Sequence, residues 1–334
     1  MNLTWIEPQW GRLSGSLGQL PHALLIHGPR GVGKLALATR FANLLLCESP
    51  ASNNPCGRCE GCRWFRDGNH PDFRLIQPES MADEVEPEEG AREEERPGKK
   101  AKPSNEIKVA QIRGLADFLY VGSHRGARRV ALVHPAEAMN LNAANALLKG
   151  LEEPPRNAVF ILVTNASSRL LPTVRSRCVQ LAVPVPDDLA ARAWLAANGV
   201  AQPDRWLAFA GGAPLLALDL AKGERSAELA LLLDAVASGD AARISPVSTR
   251  ESMELLAEVL QKTAYDAVFS QLAGRTKYGT RGSRPAGENP TEWLRYARTM
   301  GWNRALARRP LNPGLFSADM LAALPARSKS HAKH

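Results

Sequence analysis

Four cysteines lie within sixteen residues: Cys47, Cys56, Cys59 and Cys62, the last three spaced Cys-x2-Cys-x2-Cys. Four thiolates are the number that a closed tetrahedral structural Zn²⁺ site uses, and the turn-rich "ESPASNNP" and "GRCEG" let the chain wrap around an ion. The start, "MNLTWIEPQWGRL", lacks the basic-then-apolar order of a secretory leader, which favours metal over disulfides. Four sulfurs leave no open coordination position, so the expected role is folding, not catalysis. Unligated thiols and an iron–sulfur cluster are the other states this spacing allows.

A second constellation begins at His27 in "HGPRGVGKLA". Gly28-x4-Gly33-Lys34, with Gly31 between, is a phosphate-binding loop up to its last position. Glycines let backbone amides approach phosphate oxygens, and the lysine adds a point charge where the positive end of a helix dipole already favours anions. The next residue is Leu35, where a hydrolytic loop has a hydroxyl for Mg²⁺. A hydrolytic enzyme of this type also needs an acid at the end of its third strand, often followed by a glutamate. "RRVALVHPAEAMN" offers His134 and Pro135 there. Glu137 stands two residues further on, and that displacement argues against its substituting. In "SSRLLPTVRSRCVQL", Arg177 has the chemistry of an arginine finger reaching a neighbour's nucleotide, and equally that of a surface arginine in a basic loop.

These residues need a scaffold. "HALLIHG", "PDFRLIQ", "RRVALVHP", "NAVFILVTN" and "CVQLAVPVP" read as five strands. Between them, "KLALATRFANLLLC", "IKVAQIRGLADFLY" and "LNAANALLKGLEEPP" carry helical spacing; in the second, the expected buried face is Val109, Ile112, Ala116 and Leu119. Alternating strands and helices predict an α/β fold with a parallel sheet covered on both faces, and ligands at the carboxyl ends of its strands. From Asp187 onward only helical patterns appear.

The net charge of the 334 residues is +8, although the stretch 79–105 holds nine acids against five bases, leaving +12 on the rest. That excess suits a phosphate-bearing partner or a solvated basic surface. The stretch itself has almost no large apolar residue and is expected to be a disordered insertion. No run reaches the ~18 apolar residues of a membrane span, so a cytoplasmic protein without a membrane partner is expected.

Taken together, the cysteine module directly after the P-loop helix, "NAANALLKGLEEPP", the "TN" pair ending the fourth strand and "SRC" opening the fifth resemble the bacterial DNA polymerase III clamp-loader subunits of the AAA+ superfamily, and among them the delta-prime type. The resemblance covers nearly the whole chain. It implies an AAA+ P-loop-like domain over 1–186 with a zinc module at 47–62, a helical lid over 187–223 and a helical collar over 224–334. It also implies a non-hydrolysing stator that helps load the sliding clamp on primed DNA, within a hetero-pentamer of motor and delta subunits. Arg177 would act in trans on the adjacent subunit's ATP. Motor subunits keep the P-loop hydroxyl, Asp-Glu on the third strand and a lid arginine; here stand Leu35, His134-Pro135 and Leu215. Gly28, Gly31, Gly33 and Lys34 leave binding of ATP or ADP open, with no Mg²⁺ site expected. Two other readings remain: an active loader ATPase, and a zinc-containing module that binds DNA itself.

Overall fold

The computed structural model describes residues 3–81, 103–120, 128–238, 244, 247, 249–280, 289–307 and 309–325. It divides into two compact units, 1–185 and 186–334. Most of the acidic 79–105 stretch lies outside the described residues.

The first unit is built on five short strands: β1 (Ala23–His27), β2 (Phe73–Ile76), β3 (Arg129–Val133), β4 (Ala158–Thr164) and β5 (Val179–Ala182). All pair in parallel, in the order β2-β3-β4-β1-β5. The α/β parallel sheet expected from the sequence is therefore present. β3 and β4 are buried along their whole length and β1 along all but its last residue, whereas the edge strands β2 and β5 are mostly accessible. This is why the three inner strands read as continuous apolar runs and the edges do not.

Helices α1 (Glu7–Gly15), α2 (Lys34–Leu46), α3 (Glu60–Arg66), α4 (Val109–Tyr120), α5 (Leu141–Glu152) and α6 (Pro172–Arg175) complete the unit. Ile112, Leu115 and Leu119 of α4 and Ala143, Leu147 and Leu151 of α5 share one core with Leu25, Phe160 and Leu162 of the sheet. The α4 face thus centres on Leu115, not Ala116. Asn140 caps α5 by accepting a hydrogen bond from the Ala143 amide at 2.9 Å, worth about 1 kcal/mol. Pro154 and Pro155 follow the end of the helix. Pro155 cannot donate to the helix, and the residue before it is biased toward extended backbone.

The second unit is helical among its described residues: α7 (Asp188–Ala197), α8 (Pro203–Phe209), α9 (Pro214–Lys222), α10 (Ser226–Ser238), α11 (Arg250–Ala273), α12 (Pro290–Leu306) and α13 (Pro313–Ala322). One apolar cluster runs from Ala191 and Leu195 of α7 to Met300 of α12 and Met320 of α13. The fully buried Asp266 of α11 accepts hydrogen bonds from the amides of Lys277, Tyr278 and Thr280 and from the Thr280 hydroxyl, at 2.7–2.8 Å. It thereby fixes the segment after the helix, since a buried carboxylate is tolerated only when its oxygens are satisfied.

No described helix is long and apolar enough to cross a membrane.

Candidate functional site

Because all five strands run the same way, the segments leaving β1, β3, β4 and β5 emerge along one edge of the sheet. His27 pairs with Thr164 of β4, and its carbonyl accepts the Val183 amide at 2.8 Å just beyond β5. The loop that follows is therefore gripped from both sides. Gly28, with φ +151°, is so close to β5's exit that a Cβ there would sit 2.1 Å from the Val183 carbonyl oxygen. Gly31 (φ +80°) and Gly33 (φ +94°) also hold conformations that side-chain-bearing residues rarely adopt. Gly33 caps α2, so the loop ends on the amides of a thirteen-residue helix. The N-terminal segment packs on it: the Trp5 indole donates to the Val32 carbonyl at 3.0 Å, and Leu3 and Ile6 lie against Gly33.

Lys34 is only 3% exposed. Its ammonium donates to the Pro29 carbonyl and to Asn165 Oδ1, the latter at 2.9 Å. Burial pushes its pKa down from 10.5 to about 8, partly opposed by the Glu137 carboxylate. Leu35 occupies the first turn of α2, half-buried, and carries no ligand atom for a divalent ion.

His134 directly follows β3, and the His134–Pro135 peptide is cis. Burial holds the imidazole below its usual pKa, so it is neutral near pH 7; nearby Glu137 acts against that shift and Lys34 with it. Glu137 departs from the sequence reading. The single turn Ala136–Ala138 folds it back, and its Oε1 accepts from the Asn165 amide at 3.0 Å and from Nδ2 at 3.1 Å. Its displacement along the chain does not remove it from the site. Asn165, noticed in the sequence only as part of a "TN" pair, links this carboxylate to Lys34. Two buried polar atoms, His134 Nδ1 and Glu137 Oε2, have no hydrogen-bond partner within the protein.

Arg177 lies between α6 and β5. Its Nη2 pairs with Glu152 Oε1 at 2.6 Å, and its Nη1 donates to the Thr173 carbonyl at 2.9 Å. Cys178 precedes β5 instead of opening it, and burial raises its thiol to about 11. Leu215 is half-buried on α9 in the helical unit.

The four cysteines come together. Their sulfurs all lie within 4.8 Å of one another, with Cys47 and Cys59 at 3.9 Å. A tetrahedron with Zn–S bonds near 2.3 Å has edges of about 3.8 Å, so the set fits such an ion. Cys47 ends α2, and Cys59 caps α3 by accepting from the Cys62 amide at 3.3 Å. The Cys56 and Cys59 amides donate in the same way to Cys47 and Cys56, each at 3.3 Å. The Arg58 and Cys59 amides pull the Cys56 thiol down to about 6, whereas burial pushes the Cys47 and Cys62 thiols up in the metal-free cluster. These N–H groups favour thiolate, the form that binds metal. Among the described residues, this cluster could hold a metal such as zinc.

The cysteine module is fastened to the fold by Arg40 of α2, which reaches Glu7 and Asn54 at 2.7 Å each and stacks over Trp10 at 3.9 Å. Sequence reasoning missed this clip and also α3, whose seven residues are too few for helical periodicity to show.

The family model described as "DNA polymerase III, delta subunit" matches residues 12–187, more than half of the chain. The chain belongs to that family. Among known proteins, the DNA polymerase III subunit delta' of Pseudomonas aeruginosa is 42% identical over 217 residues, covering 64% of this chain and 59% of the relative. The Escherichia coli subunit delta' is 33% identical over 225 residues, covering 66% and 61%. The match thus spans about three fifths of these relatives' length. A solved structure of a gamma-subunit-related protein from Thermotoga maritima aligns over 94% of this chain and 97% of its own, with TM-score 0.48 and 16% identity.

Proposed function

We propose that this family member is a delta-prime-like stator of a DNA polymerase III clamp loader, an accessory subunit of the polymerase holoenzyme that does not itself hydrolyse ATP. In this reading it joins motor and delta subunits in a hetero-pentamer and helps place the sliding clamp on primed DNA in the cytoplasm. The stretch 187–223 would serve as the lid and 224–334 as the collar that holds the ring together. The four cysteines would carry a structural Zn²⁺.

The observation that carries the reading is the chemistry at the three places where a motor grips Mg²⁺ and water. Leu35 has no hydroxyl, His134 is a neutral imidazole, and Pro135 has no donor or acceptor side chain. The glycine cradle of Gly28, Gly31 and Gly33 and the buried Lys34 are nonetheless intact, which supports a loop able to accept ATP or ADP phosphates without a metal. Arg177 would then act on a neighbour, stabilising charge on the γ-phosphate of ATP bound there; such fingers are worth about 10³–10⁵ in rate.

The test is a reconstituted loader carrying Arg177→Ala, with clamp- and DNA-stimulated ATPase as the readout. A collapse of stimulated turnover with intact assembly is the expected result; wild-type turnover refutes the finger assignment.

Glu137 favours a second reading, an active loader ATPase. It returns a carboxylate to the neighbourhood of Lys34, and its Oε2 has no protein partner. This reading requires Lys34-dependent hydrolysis by the isolated chain.

A further inference from the structure

We propose that Glu152 is the positioning residue for Arg177, holding its guanidinium in place before a neighbouring nucleotide arrives. This deepens the reading of Arg177 as an in-trans finger and rests on it.

The guanidinium is tethered twice, from two different elements. Glu152, the last residue of α5, takes Nη2 at 2.6 Å, and the Thr173 carbonyl of α6 takes Nη1 at 2.9 Å. Both anchors adjoin the core. Leu151, beside Glu152, and Val174 and Cys178, flanking Arg177, belong to one buried cluster. α5 is capped by Asn140 at its start and followed by two prolines at its end. The helix itself gives no reason for an acid there, because a carboxylate at a helix C-terminus faces the negative end of the dipole. Its partner Arg177, just beyond α6, supplies one.

The pair is partly exposed, Arg177 at 35% and Glu152 at 49%, so it adds little to folding. Its effect falls on the side chain. A long arginine loses much rotamer freedom when fixed, and two anchors present in the free chain mean that this loss is already met before the ring closes. The two contacts use two of the five guanidinium N–H groups, which leaves three for phosphate oxygens.

The test uses the reconstituted loader with Glu152→Gln, Glu152→Asp and Arg177→Ala, reading kcat and KM for ATP with clamp and primed DNA saturating. Glu152→Gln is expected to lower kcat about two- to fivefold, the scale of one exposed ion pair, with KM for ATP and the thermal midpoint of the free subunit unchanged. Glu152→Asp is expected to recover part of the loss, and it supplies the comparison if the Gln variant assembles poorly. A Glu152→Gln loader with kcat equal to or above wild type, while Arg177→Ala remains crippled, overturns the positioning role alone; a rise would mean that the pair sequesters the arginine. Wild-type kcat in Arg177→Ala overturns the finger and the positioning role together.

Discussion

Replacing Lys34 with methionine is expected to stabilise the free protein near neutral pH while removing the charge that, in the proposed reading, holds phosphate. Lys34 is 3% exposed, and burial lowers its pKa from 10.5 to about 8. The folded chain therefore binds this proton less tightly than the unfolded chain does. The resulting penalty is fully present below pH 8 and fades as pH rises from 8 through 10.5. At pH 7 it amounts to about 3 kcal/mol. Methionine fills similar volume but gives up the bonds to Pro29 and Asn165, which offsets about 1–2 kcal/mol. The net gain is about 1–2 kcal/mol at pH 7 and vanishes or reverses near pH 10, where the neutral lysine keeps its bonds without the charge. Urea unfolding of both chains at pH 7 and pH 9.5, with amide exchange separating the sheet unit from the helical unit, measures this. Pyrophosphate should raise the wild-type midpoint and leave Lys34→Met unmoved. A variant less stable at pH 7, or a difference independent of pH, refutes the reasoning.

Three further perturbations probe other parts of the fold. Gly28→Ala would place a Cβ 2.1 Å from the Val183 oxygen and should cost about 2 kcal/mol or more; Gly18→Ala, with nothing within 4 Å, is the control, both read by chemical denaturation. Asp266→Ala leaves the amides of Lys277, Tyr278 and Thr280 without their acceptor, so the helical unit should lose about 3–5 kcal/mol while amide exchange in the sheet unit stays unchanged. Elemental analysis should find one zinc per chain, and chelation or Cys59→Ser should release it and speed amide exchange across 47–62; full retention of metal in Cys59→Ser would count against the four-thiolate site.

Much of this architecture was visible in the residues. β1, β3 and β4 are buried on both faces, so their apolar runs are unbroken, and the P-loop is legible because its chemistry is local. The cysteine cluster was legible for the same reason: three of its members follow one another with only two residues between each pair. Other features depend on contacts that no short window contains. Glu137 looked displaced because the distance was counted along the chain, yet one turn brings it to Asn165, which β4 delivers only through the strand order. In the α4 face Leu115 is buried and Ala116 only half-buried, a rotation of the helix that its packing against α5 and the sheet decides. The Arg40 clip joins residues 7, 10, 40 and 54, and the start of α3 is capped by the Cys59 sulfur. The Glu152–Arg177 pair joins the end of α5 to the residues between α6 and β5, which shared burial brings together and sequence spacing does not.

In the proposed reading, the chain keeps a phosphate cradle and has lost the means to hold a divalent ion beside it. The most direct measurement is ATP hydrolysis by the purified chain with and without Mg²⁺, alongside Lys34→Ala. No turnover above background is expected under any of these conditions, whether or not nucleotide binds the loop. Mg²⁺-dependent hydrolysis that disappears in Lys34→Ala would contradict it and return Glu137 to the role of a catalytic carboxylate.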